Sequence, residues 1–219
     1  MMGPNSMKII EELSESLKLE KGMRVLDLGC GKGLTSIFLA NEYEVTVFAT
    51  DLWISATENY ERIKSTGLED KIIPIHAEAH DLPFEDEFFD LAIRVDAYNY
   101  FGVEKDYLAK YLVPLVKKEG QIGVTVPGLK EEFTNGVPLE LQPYWFDEMN
   151  SFHSCDWWYN LWKTCDSVSI KECKELKCLE EAWQDWLSCD NEYARRDIVM
   201  MEAEGGNYFN LVSIVATKL

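Results

Sequence analysis

The chain has 219 residues, and its 39 acidic against 21 basic side chains give a formal charge of −18; this balance argues against DNA, RNA or an anionic membrane surface as partners and favours a neutral or cationic small molecule. The length suits one α/β domain over 1–219, with no apolar run of the roughly 18 residues a membrane span needs and no signal-peptide pattern at 1–6. Six cysteines show neither CxxC pairs nor zinc spacing, so reduced thiols in a cytoplasmic protein, without a bound metal, are expected.

From the N-terminus, 7–17 sets Ile9, Ile10, Leu13 and Leu17 on one face and predicts an amphipathic helix, with Asn5 or Ser6 as its cap. Lys21 and Gly22 turn the chain into a first strand, 24–28. The run Val25-Leu26-Asp27-Leu28-Gly29-Cys30-Gly31-Lys32-Gly33 is apolar and partly β-branched before it breaks into glycines at alternate positions; 34–40 then resumes with helical spacing. Strand, glycine turn and helix in that order form the first half of a nucleotide-binding βαβ unit, where bare main chain and free helix N–H groups receive a ligand. The spacing is D-x-G-x-G-x-G rather than the dinucleotide pattern G-x-G-x-x-G. A carboxylate at Asp27 would repel a pyrophosphate. It suits an ammonium or sulfonium charge, such as the methionine part of S-adenosylmethionine.

A second strand, 45–50, ends at Asp51, which lies 22 residues after Gly29, close to the spacing at which an acid meets a ribose diol. An acid at a helix N-terminus is the plainer reading of Asp51. The pattern predicts a helix over 55–66, closed by Gly67, and a third strand over 71–76, which Pro74 places at a sheet edge. His76 and His80 are four apart, a metal-pair spacing on a helix, but here they fall on a strand end and a loop. The segment 77–90 carries Glu78-Ala79, Leu82-Pro83-Phe84 and Phe89-Asp90.

Together these motifs resemble the class I S-adenosylmethionine-dependent methyltransferases, and 77–90 is similar to their quinone-biosynthesis-like branch, methyltransferase type 11. The resemblance implies a Rossmann-like, seven-stranded, mostly parallel sheet of order 3-2-1-4-5-7-6 with helices on both faces. It implies a cofactor loop of Asp27, Gly29, Cys30, Gly31 and Gly33, a ribose held by Asp51, and an adenine packed on Leu52. Glu78, where the family more often has Asp, would receive the adenine amino group beside the Ala79 N–H. The implied reaction is in-line displacement at the sulfonium methyl, most of it achieved by alignment.

A fourth strand, 91–95, leads into Asp96-Ala97-Tyr98-Asn99-Tyr100-Phe101 at the carboxyl end of a central strand, where doubly wound sheets place reacting groups. The two prolines that DNA amino-methyltransferases carry here are missing, which argues against a nucleobase acceptor. Asp96 is assigned to the cofactor site. Asp96, Tyr98, Tyr100 and His153 are candidate general bases; their plainer roles are a loop cap, two core aromatics and a surface residue. A helix is predicted over 106–116 and a fifth strand over 120–126.

The segment 128–165 is expected to be an inserted lid, and six of the seven tryptophans follow Tyr144. Trp145, Trp157 and Trp158, with Tyr98 and Tyr100, are expected to enclose the acceptor (an amine, thiol or similar), either as cation-attracting faces or as the lid's apolar body. A sixth strand over 168–175, a helix over 179–201, a turn at Gly205-Gly206 and a last strand over 208–217 resemble the family's terminal antiparallel hairpin. Two other classes stay open. One is an NAD-type oxidoreductase, against which the loop spacing and the hairpin speak; the other is an S-adenosylmethionine-binding partner protein with no chemistry of its own.

Overall fold

The computed structural model describes residues 3–219, so the first two residues of the expected domain lie outside the described residues. The strands are β1 (Arg24–Leu28), β2 (Thr46–Asp51), β3 (Ile72–His76), β4 (Phe89–Val95), β5 (Val116–Leu129), β6 (Val168–Glu175) and β7 (Phe209–Lys218). They form one sheet of order 3-2-1-4-5-7-6. The pairs among β1 to β5 are parallel, while β7 runs antiparallel between β5 and β6. This is the expected topology. Strands covered on both faces read as continuous apolar runs, which is why Val25-Leu26 and Leu91-Ala92-Ile93 do not alternate. Pro74 sits in edge strand β3, opposite Ala49, where a missing N–H leaves no ladder bond unmade.

The helices are α1 (Ser6–Ser14), α2 (Leu34–Tyr43), α3 (Ala56–Ser65), the single turn α4 (Asn99–Gly102), α5 (Cys155–Trp162), α6 (Leu179–Leu187) and α7 (Glu192–Glu204). Asn5 caps α1 by accepting the Met7 N–H at 3.0 Å, and Ser55 with Glu58 forms a capping box on α3. One face of the sheet buries Ile9, Ile10 and Leu13 of α1 against Val25, Leu39 and Ile93. The other buries Leu26, Phe89, Val124 and Ile214 with Tyr98, Trp158 and Trp162. The phenylalanines of 77–90 also gain a physical reason here. Phe84, Phe88 and Phe89 pack edge-on around Phe48 with ring centroids at 5.7, 5.2 and 5.4 Å, a favoured arrangement of ring quadrupoles.

Four expectations need correction. Over 106–116 there is no regular α-helix but a π-turn, Leu108–Leu112, followed by a 3₁₀ turn, Val113–Leu115; Pro114 has no N–H to continue a helix, and its ring would strike the carbonyl of Lys110. Strand β5 is twice as long as 120–126 and runs on to Leu129, taking the first two residues of the expected lid into the sheet. The helix expected over 179–201 is two helices. The chain stops after Leu187, and Asn191 starts α7 by accepting the Tyr193 N–H at 2.8 Å. The first helix ends at Ser14 rather than at 17, where the serine hydroxyl turns back to donate to the Ile10 carbonyl at 2.6 Å. No helix among the described residues is long and apolar enough to cross a membrane.

Candidate functional site

The carboxyl ends of β1 and β2 build the centre of the site. After Leu28, Gly29, Gly31 and Gly33 take φ of 76°, 54° and 78°, the left-handed region that costs glycine nothing. Gly29 is fixed twice over, because a Cβ there would lie 3.0 Å from the Arg94 guanidinium and 3.3 Å from the Ala97 side chain. The Gly29 and Cys30 amides donate to the Thr50 carbonyl at 2.7 and 3.1 Å, pinning the loop to the end of β2. The Cys30 thiol is buried, and burial together with Asp27 and Asp51 pushes its pKa well up. Asn59 of α3 donates to the Gly31 carbonyl at 2.8 Å. It is a loop-bracing residue that no sequence motif marks.

Two carboxylates border the loop with different hydrogen-bond partners. Asp51 accepts the Gly31 N–H through Oδ2 and the Trp53 and Ile54 N–H groups through Oδ1, each at 2.8 Å. Asp27 is buried, and its Oδ2 accepts from the Thr35 and Ser36 hydroxyls at 2.6 and 2.5 Å. Its Oδ1 has no partner. Burial pushes the Asp27 pKa up to about 6, against the pull of the Ser36 and Thr35 hydroxyls.

Asp96 stands at the end of β4 with φ 54°, a conformation that a non-glycine residue holds only when its surroundings over-determine it. Its N–H donates to the Thr125 carbonyl at 3.0 Å. Burial pushes its pKa up to about 7, with nearby Arg94 pulling the other way.

Both acids therefore have folded pKa values above the unfolded 3.8, so the fold prefers them protonated and loses stability as pH rises through about 4 to 7. The free protein is expected to be about 1–3 kcal/mol more stable at pH 5 than at pH 8, after discounting for the partial exposure of Asp96. Urea unfolding at the two pH values tests this; lower stability at pH 5 would contradict it.

Beyond β3, Glu78 is exposed and Ala79 partly buried. The Ala79 carbonyl accepts from the Tyr107 hydroxyl at 3.0 Å, which ties the segment after β3 to the segment after β4. His76 and His80 do not converge: His76 Nε2 meets the Leu52 carbonyl at 2.8 Å, and His80 Nε2 meets Glu104 at 3.2 Å. Leu52 is exposed, and beside it Trp53 is 70 % exposed with its ring 5.8 Å from that of Tyr100. This pair joins the mouths of β2 and β4. Trp53 lies outside the expected set, for a single tryptophan between strand and helix has no signature.

The structure divides the expected aromatic enclosure into four, with Tyr100 apart from the rest beside Trp53. Tyr98 and Trp158 are fully buried and pack on each other at 5.8 Å with Trp162 alongside. They are core in this conformation and line no open surface, a correction that follows from α5 laying its apolar face on β6 and β7. Trp145 belongs to a separate cluster with Phe133, Phe152 and Phe209. Trp157 stacks on His153 at 3.7 Å. His153 Nδ1 meets Glu132 Oε2 at 3.0 Å, and Glu132 Oε1 accepts the Ser154 N–H at 2.7 Å. Asn99 donates to Ser151 at 2.9 Å, so this segment is anchored to the turn after β4. Only Asp96 and Tyr100 of the catalytic candidates stand together at that turn.

Residues 25–120 match the family described as a methyltransferase domain. The methyltransferase GfsG of Streptomyces halstedii is 27% identical over 118 residues, which cover 53% of this chain and 42% of that protein. The chain spans less than half the length of the curated relatives it matches. Among solved structures, a putative sarcosine dimethylglycine methyltransferase from Galdieria sulphuraria superposes with a TM-score of 0.74 at 18% identity, over 97% of this chain and 86% of that one. Geranyl diphosphate C-methyltransferase from Streptomyces coelicolor A3(2), solved with Mg²⁺, geranyl diphosphate and S-adenosyl-L-homocysteine, gives 0.74 at 14% identity over 96% and 78%. At these identities the superpositions show the fold. The family match runs from β1 into the start of β5, and the sheet order with its reversed β7 is that of the similar structures, so the chain is similar to methyltransferase domains in sequence over this stretch and in fold over nearly its whole length.

Proposed function

We propose that the chain binds S-adenosylmethionine across the ends of β1, β2 and β4 and passes its methyl group to a small-molecule acceptor. The observation that carries this reading is the juxtaposition of the Asp27-to-Gly33 loop with Asp51, braced by the Gly31 N–H. The residues fit such a ligand. Asp27 keeps one buried oxygen unpartnered, which suits a nearby cationic charge. Asp51 has taken three N–H donors, and a carboxylate has about four acceptor sites, so its capacity for a ribose diol is nearly but not wholly used. Nothing lies within 4 Å of a Cβ built at Gly31 or Gly33, so the main chain there is open to close approach. Glu78 and Ala79 are assigned to the adenine, with Leu52 and Trp53 against its face.

When bound, the cofactor supplies an electrophilic methyl on sulfur. The protein's part is alignment and exclusion of water. An acceptor that arrives protonated needs a base, and Asp96 is the residue we assign, because a carboxyl with a pKa of about 7 is matched to proton transfer near neutrality. Tyr100 stands beside it, and Tyr98 is buried away from any acceptor. A small acceptor is supported by the two similar structures, a sarcosine dimethylglycine methyltransferase and a geranyl diphosphate methyltransferase by name, by the charge of −18 and by the absent prolines after Asp96. The six unpaired cysteines fit the reducing cytoplasm.

Methyl-labelled S-adenosylmethionine incubated with a panel of amines, amino acids, thiols, carboxylic acids and oligonucleotides tests the reading. Label is expected on a small molecule. Transfer confined to oligonucleotides, or none to any cell-extract metabolite, would overturn it.

A further inference from the structure

Cys155 and Cys173 lie 18 residues apart in the chain and meet in the fold. Cys155 is the first residue of α5, directly after its cap Ser154, and Cys173 lies in β6 at the edge of the sheet. Both are half-buried and pack against the core beneath α5. The Cys173 thiol donates to the Cys155 carbonyl at 3.3 Å, which sets its sulfur against the first turn of the helix.

An irregularity in β6 builds this contact. Ile170 stands opposite Ala216, and the register then slips, so that Glu172 stands opposite Val215 and Cys173 opposite Ile214. Residues directly opposite share a face of the sheet, and Ala216 and Ile214 both belong to the core that α5 covers. In an unbroken strand side chains alternate, and Glu172 would follow Ile170 on that face. The bulge turns Glu172 to the other face, where it accepts from the Ser16 hydroxyl at 2.7 Å, and aims Cys173 at α5 instead.

The two thiols are chemically unequal. A helix N-terminus favours a thiolate, and the hydrogen bond from Cys173 pulls the Cys155 pKa down, against burial and the charges of Glu175 and Asp156. The same contact, with burial, pushes the Cys173 pKa up. One thiol is thus prepared to attack and the other stands beside it to resolve the product.

We propose that Cys155 and Cys173 form a dithiol modification site for small disulfides of the glutathione class, which convert the pair to an intramolecular disulfide. The Cys155 thiolate attacks one sulfur of the small disulfide, and the other sulfur leaves as a thiolate that takes up the proton lost from Cys155. Cys173 then loses its proton and attacks the Cys155 sulfur, and the second small thiol leaves carrying that proton. Two protein thiols are oxidised and one disulfide is reduced to two thiols, so no further reactant is needed. The new bond fastens the start of α5, and Trp157 with it, to the sheet edge. The inference is independent of the methyltransferase reading.

The test uses Cys189→Ser, which removes the exposed thiol that would form an adduct of its own. Cys30 and Cys165 are buried, and burial and Glu12 push the Cys178 pKa up to about 12, so these three are expected to stay unmodified. The folded protein is incubated with excess glutathione disulfide and read by intact mass and peptide mapping. The mass is expected to fall by two hydrogens, with the peptides holding Cys155 and Cys173 linked. The link is expected to form about tenfold faster in the folded protein than in urea, where no contact holds the pair together. When Cys173→Ser is added, the mass is expected to rise by one glutathionyl group, carried on Cys155, because no thiol remains to displace it. An unchanged mass, glutathione retained on both cysteines, a link to any other cysteine, or a link that forms as fast in urea overturns the proposal. Should the double variant fail to fold, the comparison of folded and urea-treated Cys189→Ser decides alone.

Discussion

Trp158→Ala is expected to destabilise the protein by about 3–5 kcal/mol, the range for removing a large aromatic from a packed core. Trp158 is fully buried in α5, with the Tyr98 ring at 5.8 Å and the Trp157 ring at 5.0 Å. Its indole Nε1 has no hydrogen-bond partner, so Trp158→Phe loses volume but no polar contact and is expected to cost well under half as much. Urea unfolding followed by far-UV circular dichroism gives both values. A Trp158→Ala protein that keeps its stability but loses acceptor turnover would return Trp158 to the acceptor-binding surface. Trp157, stacked on His153 and partly exposed, is the better test of an aromatic contact with the acceptor.

The second large effect is on binding. Asp51→Ala is expected to weaken S-adenosylhomocysteine by between ten- and a hundredfold, because hydrogen bonds to a charged acceptor are worth about 1.5–3 kcal/mol each. The same change strips an acceptor from the Gly31, Trp53 and Ile54 amides, so a lower melting temperature is expected as well. Asp51→Asn separates the two roles. Its carbonyl oxygen still serves Trp53 and Ile54, while its amide faces Gly31 and the ribose as a donor instead of an acceptor. Near-normal stability with weakened binding is expected. Unchanged affinity in both variants would confine Asp51 to bracing the loop.

The sequence carried the fold of the first half well because its signals are local. Asp27 to Gly33 sets strand, turn and helix within nine residues, and Asp51 and Glu78 each follow a strand of obvious β-branched character. Pro114 was a local signal too, and its weight against a helix over 106–116 outranks the apolar spacing around it. The break between α6 and α7 turns on Asn191, whose cap competes with a periodicity that continues on either side. What stayed hidden is what only packing decides. Tyr98 and Trp158 look like any exposed aromatic until α5 is laid on the sheet. Arg94 sits among Leu91, Ala92, Ile93 and Val95 of β4, and nothing in that run says what a buried cation would face. Asn59 reaches the loop from a helix position with no fixed spacing to it, and Trp53 faces Tyr100 from the turn after β2.

The most direct test of the central claim is calorimetry of the wild-type protein with S-adenosylhomocysteine and, separately, with NAD. Micromolar-range binding of S-adenosylhomocysteine is expected, with no heat of binding for NAD, since Asp27 would oppose a pyrophosphate at the loop. Binding of NAD with S-adenosylhomocysteine ignored would contradict the assignment of the Asp27-to-Gly33 loop and Asp51 to a sulfonium cofactor.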